Sequence, residues 1–270
     1  MRDTRDMLLV LLSSLLMLTG CSRRDILDDY PVSGVEISLD WNGVTNKLPE
    51  GVRVIFYPKN AEGRKIDTYL SVKGGKVKVP PGRYSVVVYN YDTETVQIRG
   101  EEAYETIEAF TGHCNGLGIA GTEQLVWGPD PLYVVRIDDL KIENSEEELQ
   151  LNWKPKLVVK TYSFKLKVQG LEYVSSIVGS IEGMSSCYDL GLGCGKAGDS
   201  PIYFAARGSA GEVTGSFTVF GTSEGVISRA GNAIKLTLAF VKTDNKVQKM
   251  EVDITAVSYT HLRAHETLAN

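Results

Sequence analysis

The chain has 270 residues, of which 43% are hydrophobic and 23% are charged. This composition supplies enough apolar side chains for a packed core and excludes a disordered chain, a collagen and a multi-pass membrane protein. The formal net charge is −5, which excludes the basic surface that nucleic-acid binding requires, so we expect no nucleic-acid partner. The length accommodates one large domain or two domains of ordinary size.

An export signal is predicted for residues 1–20. Arg2 and Arg5 precede an apolar run of twelve residues from Met7 to Leu18. A helix of this length measures about 18 Å, whereas a helix that crosses a bilayer needs about 20 residues. The run therefore has the length of a signal-peptide core rather than of a membrane span.

The apolar run ends in Leu18-Thr19-Gly20-Cys21, which resembles the bacterial lipobox. We predict signal cleavage between Gly20 and Cys21 and lipid attachment, for example of palmitate, to Cys21. Buried acyl chains contribute about 0.8 kcal/mol per CH₂, so several chains give stable anchoring. Residues 21–33 then form a polar tether. Because no aspartate directly follows Cys21, we predict a lipid-anchored protein of the outer membrane. The alternatives are a plain secretory peptide and a buried start of a domain.

Short strands separated by turns fill residues 34–154. Residues 35–41 alternate apolar and polar side chains, and Asn42-Gly43 follows as a turn signal. Strands about ten residues apart with turns between them indicate a β-sandwich. The predicted strands of this half are 35–41, 52–57, 69–72, 76–79, 84–89, 95–99, 106–110, 133–137 and 149–153.

A second series of strands begins after Pro155. Residues 157–168 alternate cleanly over their second half, and residues 174–181 form either a strand or a short helix. No long segment has the 3.6-residue period of an amphipathic helix. We predict an all-β chain with two tandem β-sandwich domains, at 34–154 and 156–256. The further strands of the second domain are 202–206, 215–220, 233–241 and 250–254.

The last fourteen residues, 257–270, look foreign because the strand alternation stops there. They resemble translated sequencing-adapter sequence, so we expect that the natural chain is cut off near Ala256 and that terminal strands are missing. A structural tail is one alternative. A helical zinc half-site is the other, since His261 and His265 stand four residues apart beside Glu266, but no third ligand is identifiable.

Few residues are suited to catalysis. Outside the tail His113 is the only histidine, and its neighbour Cys114 would point to the opposite face of a strand, so a Cys–His pair is not expected. The glycine-rich loop 111–121 lacks the lysine and the following helix of a phosphate-binding loop. We predict no catalytic residues, no metal ligands and no cofactor. The alternative is a hydrolase that uses a pair of carboxylates.

Three cysteines remain once Cys21 is assigned to lipid: Cys114, Cys187 and Cys194. Export places them in an oxidising compartment. Cys187 and Cys194 flank a short loop, so we predict a disulfide between them, worth somewhat under about 3 kcal/mol in the entropic model. Pairing of either with Cys114, or three free thiols, are the alternatives.

Tyrosines are frequent in the first half. Tyrosine favours strands, so most are expected in the core or in a sheet. An exposed cluster would instead stack on sugar rings or anchor a partner. The tyrosines in question are Tyr57, Tyr69, Tyr84, Tyr89 and Tyr91.

The first half also resembles a known family. The resemblance follows the lipobox, Trp41, residues 51–58, Gly63, residues 77–84 and 88–94, and Gly100, with the best match over residues 35–110. This order is similar to lipoproteins of Bacteroides-type bacteria that form a domain family of unknown function. Those lipoproteins in turn resemble the fimbrillin-associated anchor lipoproteins.

The resemblance implies two transthyretin-like or immunoglobulin-like sandwich domains and a role at the base or tip of a surface fimbria. It also implies that fimbrial subunits join by strand addition into an open groove. We therefore expect a non-enzymatic lipoprotein that anchors or assembles fimbriae. A surface module that binds glycans or host proteins is the alternative.

Overall fold

The computed structural model describes residues 33–60, 63–114, 124–145, 147–196, 200–220 and 233–255. The predictions for the signal segment, for Gly20 and Cys21, and for the tail from residue 257 lie outside these ranges. Within them the chain forms nineteen strands and one short 3-10 helix, Leu171–Tyr173. The predicted all-β class is confirmed.

The strands follow the turn signals of the sequence closely. Residues 174–181, which the pattern left open, belong to a strand. The strands are β1 Ser33–Leu39, β2 Gly51–Pro58, β3 Ile66–Ser71, β4 Gly74–Val79, β5 Gly82–Asn90, β6 Val96–Arg99, β7 Glu108–Thr111, β8 Val126–Trp127, β9 Tyr133–Ile142, β10 Leu149–Trp153, β11 Lys156–Leu157, β12 Val159–Lys167, β13 Val174–Glu182, β14 Cys187–Asp189, β15 Cys194–Lys196, β16 Ile202–Ser209, β17 Glu212–Phe220, β18 Lys235–Lys242 and β19 Val247–Asp253.

Sheet A contains eight strands in the order β10-β1-β4-β3-β2-β5-β9-β11. All neighbours are antiparallel except β1 and β10. Its central strand β2 places Val54 and Phe56 in one core and Ile55 and Tyr57 in another. Because successive side chains of a strand point to opposite faces, both faces of sheet A are apolar and both must be covered.

Sheet A covers one of these faces by folding over on itself. Trp153 of β10 and Val135 of β9 come from strands near opposite ends of the sheet, yet both belong to the same buried cluster as Val54 and Phe56. The β3–β4 turn brings the backbone at Gly74 close to β1. Gly74 there has a φ of +102°, and a Cβ on it would collide with the carbonyl oxygen of Ile37, so glycine is needed.

Sheet B, in the order β15-β14-β7-β6, covers the second face of sheet A. Strands β6 and β7 come from the first half of the chain, whereas β14 and β15 come from the second. Cys187 lies opposite Phe110, and Asp189 lies opposite Glu108. The predicted domain limits 34–154 and 156–256 stay predictions, and strand pairing joins the two halves across them.

Sheet C is the antiparallel sheet of the second half, in the order β12-β17-β16-β13-β18-β19. Its core includes Phe204, Phe217 and Leu238. The short strand β8 of the first half pairs with β16, which is a second connection between the halves. The predicted strand 157–168 divides at Val158, because β11 pairs with β9 in sheet A whereas β12 joins sheet C.

Candidate functional site

The interface between the two halves, built on sheet B, contains a compact ion cluster. The ammonium of Lys196 lies 3.0 Å from Oδ2 of Asp189 and 2.8 Å from Oε2 of Glu108. Arg99 pairs with the same Glu108. Asp189 also accepts a hydrogen bond of 2.8 Å from the backbone N–H of Leu192, and only 2% of its side chain is exposed. The cluster therefore links β6 and β7 to β14 and β15.

The pKa values of the cluster reflect this pairing. Burial alone would raise the pKa of Glu108, but hydrogen bonds from Lys196 and Arg99 lower it below its ordinary value of 4.5. Hydrogen bonds to Glu108 and Asp189 raise the pKa of Lys196. The Glu108 carboxylate and the Lys196 ammonium are thus held in their charged forms, which suits a structural link.

The two halves are also joined by apolar packing. Leu190, Val159 and Phe220 of the second half are buried in one core with Ile107 and Val87 of the first half. Leu190 and Phe220 are fully buried, and each is in the part of the chain that follows the predicted boundary. The two halves therefore share a core as well as a sheet.

The predicted disulfide partners lie in neighbouring strands of this hairpin. Cys187 is opposite Lys196 and Cys194 is opposite Asp189, so the cysteines are diagonal to one another. Both are free thiols in this structure, and so is the buried Cys114. Burial raises the pKa of the Cys187 thiol, which lowers its reactivity. The disulfide stays a prediction, and thiol counting before and after reduction tests it.

The tyrosines separate into two groups. Tyr57, Tyr84 and Tyr89 are buried, as expected for sheet and core residues, whereas Tyr69 and Tyr91 are exposed. Burial raises the pKa of Tyr57 and of Tyr89 above the usual value for tyrosine. Tyr57 donates a hydrogen bond of 3.0 Å to the backbone oxygen of Glu101, so its buried hydroxyl has a partner within the fold.

The residues considered for catalysis are not brought together. His113 is exposed and pairs by its backbone with Val126, while the thiol of its neighbour Cys114 is buried. Within the described ranges, no group of three or more His, Cys, Asp or Glu residues is placed to hold a metal ion. No helix in the same ranges has the length and apolar character needed to cross a membrane.

The outer strands of the sheets are the other feature of functional interest. In the part of the chain that the structure describes, β19 pairs only with β18, and β12 pairs only with β17. Phe164 of β12 and Met250 of β19 are half-buried side chains that pack against the core of sheet C. Such edges expose backbone N–H and C=O groups that a further strand can pair with.

Sequence reasoning missed the ion cluster and the hairpin that carries it. Strands β14 and β15 have three residues each, too few to show an alternating pattern. The available signal was the spacing of Asp189 and Lys196 on either side of a glycine-rich turn. Their partner Glu108 is about eighty residues away in sequence, and no local pattern reveals such a contact.

Residues 20–205 match a family described as a domain of unknown function, DUF5119. The match spans more than half of the chain. The chain belongs to the DUF5119 family. This assignment confirms the resemblance seen in the sequence, and it places sheets A and B and the first strands of sheet C within the family's shared region.

Two relatives of this DUF5119 protein come from Bacteroides ovatus. A Bacteroides ovatus protein named "Putative fimbrium anchoring subunit Fim4B" is 62% identical over 269 residues, which cover 95% of this chain and 81% of the relative. The crystal structure of "a putative adhesin" from Bacteroides ovatus is 59% identical, has a TM-score of 0.80, and matches over 90% of this chain and 89% of that one.

A more distant solved structure has the same fold. The fimbrial anchor protein Mfa2 from Porphyromonas gingivalis is 10% identical and has a TM-score of 0.51, with coverage of 83% of this chain and 82% of that one. At this identity the similarity shows the fold alone.

Proposed function

We propose that this protein is a non-enzymatic lipoprotein of the outer membrane that anchors a fimbria to the cell surface. The observation that carries the proposal is the Bacteroides ovatus relative, whose name is that of a fimbrium anchoring subunit and whose identity of 62% extends over 95% of this chain. A fold by itself does not define a function. Here, however, the similarity is one of sequence, and it extends over both halves of the chain.

The membrane attachment in this proposal is lipid on Cys21, exposed by cleavage after Gly20. Residues 21–32 would then connect the lipid to β1, which begins at Ser33. Strand β1 is hydrogen-bonded on both sides, to β10 and to β4. A pulling force on the fimbria would therefore load a strand that is held along both edges, as an anchor requires.

The fimbrial subunits in this proposal attach by strand addition to an outer edge of sheet C. In that mode backbone hydrogen bonds supply affinity, and pockets for alternate side chains supply specificity. Support comes from β12 and β19, which each have one neighbouring strand in the described ranges. Their half-buried side chains, Phe164 and Met250 among them, would be covered by an added strand.

Purification from native membranes tests the proposal. The full chain, solubilised in detergent from fimbriated cells, is expected to co-purify with fimbrial subunits and to enter the detergent phase on phase separation. Cys21→Ser is expected to lose detergent partition, whereas the matched control Cys194→Ser keeps it. Recovery of no fimbrial subunit contradicts the anchoring role, and unchanged partition of Cys21→Ser contradicts the lipid site.

A further inference from the structure

Two exposed tyrosines meet on the outer surface of sheet A. Tyr69 in β3 is 61% exposed, and Tyr91, which follows β5, is 45% exposed. Their ring centroids lie 5.3 Å apart at an interplanar angle of 80°, the edge-to-face arrangement that aromatic pairs prefer. Together they form an L-shaped surface, here called the aromatic corner and defined by Tyr69 and Tyr91.

The backbone beneath the aromatic corner is shaped to hold the Tyr91 ring. A Cβ at Gly51 would lie 2.7 Å from the Tyr91 hydroxyl and 2.7 Å from the backbone oxygen of Leu70. Glycine at this position therefore leaves the space that the Tyr91 ring occupies. The ring lies close to the sheet rather than extending freely into solvent.

The guanidinium of Arg53 lies against the ring of Tyr69. Arg53 lies opposite Tyr69 in the β2–β3 register, and its guanidinium carbon is 5.5 Å from the Tyr69 ring centroid, within cation–π range. Asp67 accepts two hydrogen bonds from this guanidinium, of 2.8 and 2.7 Å, and Glu101 holds it from the other side. The corner is thus preorganised, which lowers the entropic cost of binding.

The polar groups around the corner indicate the chemistry of its ligand. The hydroxyls of Tyr69 and Tyr91 have no hydrogen-bond partner among the described residues. The carboxylates of Asp67 and Glu101 keep about a quarter of their side chains exposed, and with Arg53 they sum to a charge of −1. This negative charge disfavours an anionic ligand. The two carboxylates can accept hydrogen bonds from neutral hydroxyl groups.

A sugar ring satisfies both parts of this surface. The C–H face of a pyranose packs against an aromatic ring, while its hydroxyls donate to carboxylate and phenol oxygens. An aliphatic protein surface would cover the same polar groups and leave them unpaired, at a cost in free energy. We propose that the aromatic corner binds a neutral hexose unit of a glycan. This inference is independent of the fimbrial role.

A glycan array followed by titration tests the proposal. The full chain in detergent is expected to bind neutral glycans on the array, and titration with the strongest of them gives the affinity. Tyr69→Ala and Tyr91→Ala are each expected to weaken binding about tenfold or more, where tenfold equals about 1.4 kcal/mol. Tyr173→Ala, which removes an equally exposed tyrosine at 63% exposure, is expected to change nothing.

A second variant distinguishes loss of the aromatic ring from loss of the folded structure. Tyr91→Phe keeps the ring over Gly51 and is expected to retain most of the affinity, with circular dichroism confirming that every variant is folded. The proposal is overturned if no neutral glycan binds, if anionic glycans bind best, or if the folded Tyr69→Ala/Tyr91→Ala protein binds as tightly as wild type. Self-association that these variants abolish, without glycan binding, would assign the corner to a second copy and also overturn it.

Discussion

Sheets A and C are built from similar alternating strands but are covered in different ways. Sheet A has two apolar faces, and the second is covered by sheet B, to which both halves of the chain contribute. Sheet C has half-buried side chains on its outer strands, such as Phe164 and Met250. The difference suggests a division of roles. The interface at sheet B holds the two halves together, whereas β12 and β19 of sheet C each pair with one strand in the described ranges.

The largest expected effect comes from the shared core at the β14–β15 hairpin. Leu190 is fully buried, whereas Leu192, two residues along the same turn, is 65% exposed. Leu190→Ala is expected to lower the free energy of unfolding by about 2–5 kcal/mol, because it leaves a cavity in the core. Leu192→Ala is expected to change it by less than about 0.5 kcal/mol. Urea denaturation of the full chain measures both, and equal effects would contradict a shared core.

A smaller effect is expected from the ion cluster. Asp189→Asn removes a buried charge that pairs with Lys196, and we expect a loss of about 1–3 kcal/mol in the free energy of unfolding. The matched control is Glu212→Gln on sheet C, where Glu212 pairs with Lys165 at 2.8 Å on the surface. That pair is exposed, so its loss should cost less than about 1 kcal/mol. A larger loss for the surface pair would reverse the comparison.

The smallest expected effect is a pH dependence that comes from Glu108. Its folded-state pKa is lowered, so its contribution to stability is fully present above its ordinary value of 4.5 and is lost as the pH falls through the folded value. Glu108→Gln should therefore flatten the acid side of a plot of the free energy of unfolding against pH, by an amount below about 1 kcal/mol. An unchanged acid limb would show that Glu108 does not contribute.

Much of sheets A and C was predictable from local patterns. Residues 35–41 and 52–57 alternate or run apolar between turn signals, and both are strands, because side-chain periodicity directly reflects which face of a strand is buried. Residues 174–181 were ambiguous because small and β-branched side chains suit either a strand or a short helix. Pairing with β16 and β18 on both sides decides for the strand.

The interface between the halves was not predictable from the sequence, for a physical reason. Cys187 and Phe110 are adjacent only because the chain folds back over more than seventy residues, and pairing at such separation leaves no local periodicity. The tyrosines show the same limit. Tyr89 is buried and Tyr91 exposed, although both stand at or near the end of one apolar strand. Tyr89 lies in the core between sheets A and B, and two of the strands of sheet B come from the second half of the chain.

The most direct test of the proposed anchoring role is the attachment of fimbriae to cells that carry variants of this protein. In a strain lacking the gene, complementation with the wild-type chain should keep fimbriae on the cells after shearing, as counted by immunogold electron microscopy. Cys21→Ser, produced at the same level, should release fimbriae into the medium. Fimbriae that stay on the cells in equal number with Cys21→Ser, or with no anchor gene at all, would contradict the account.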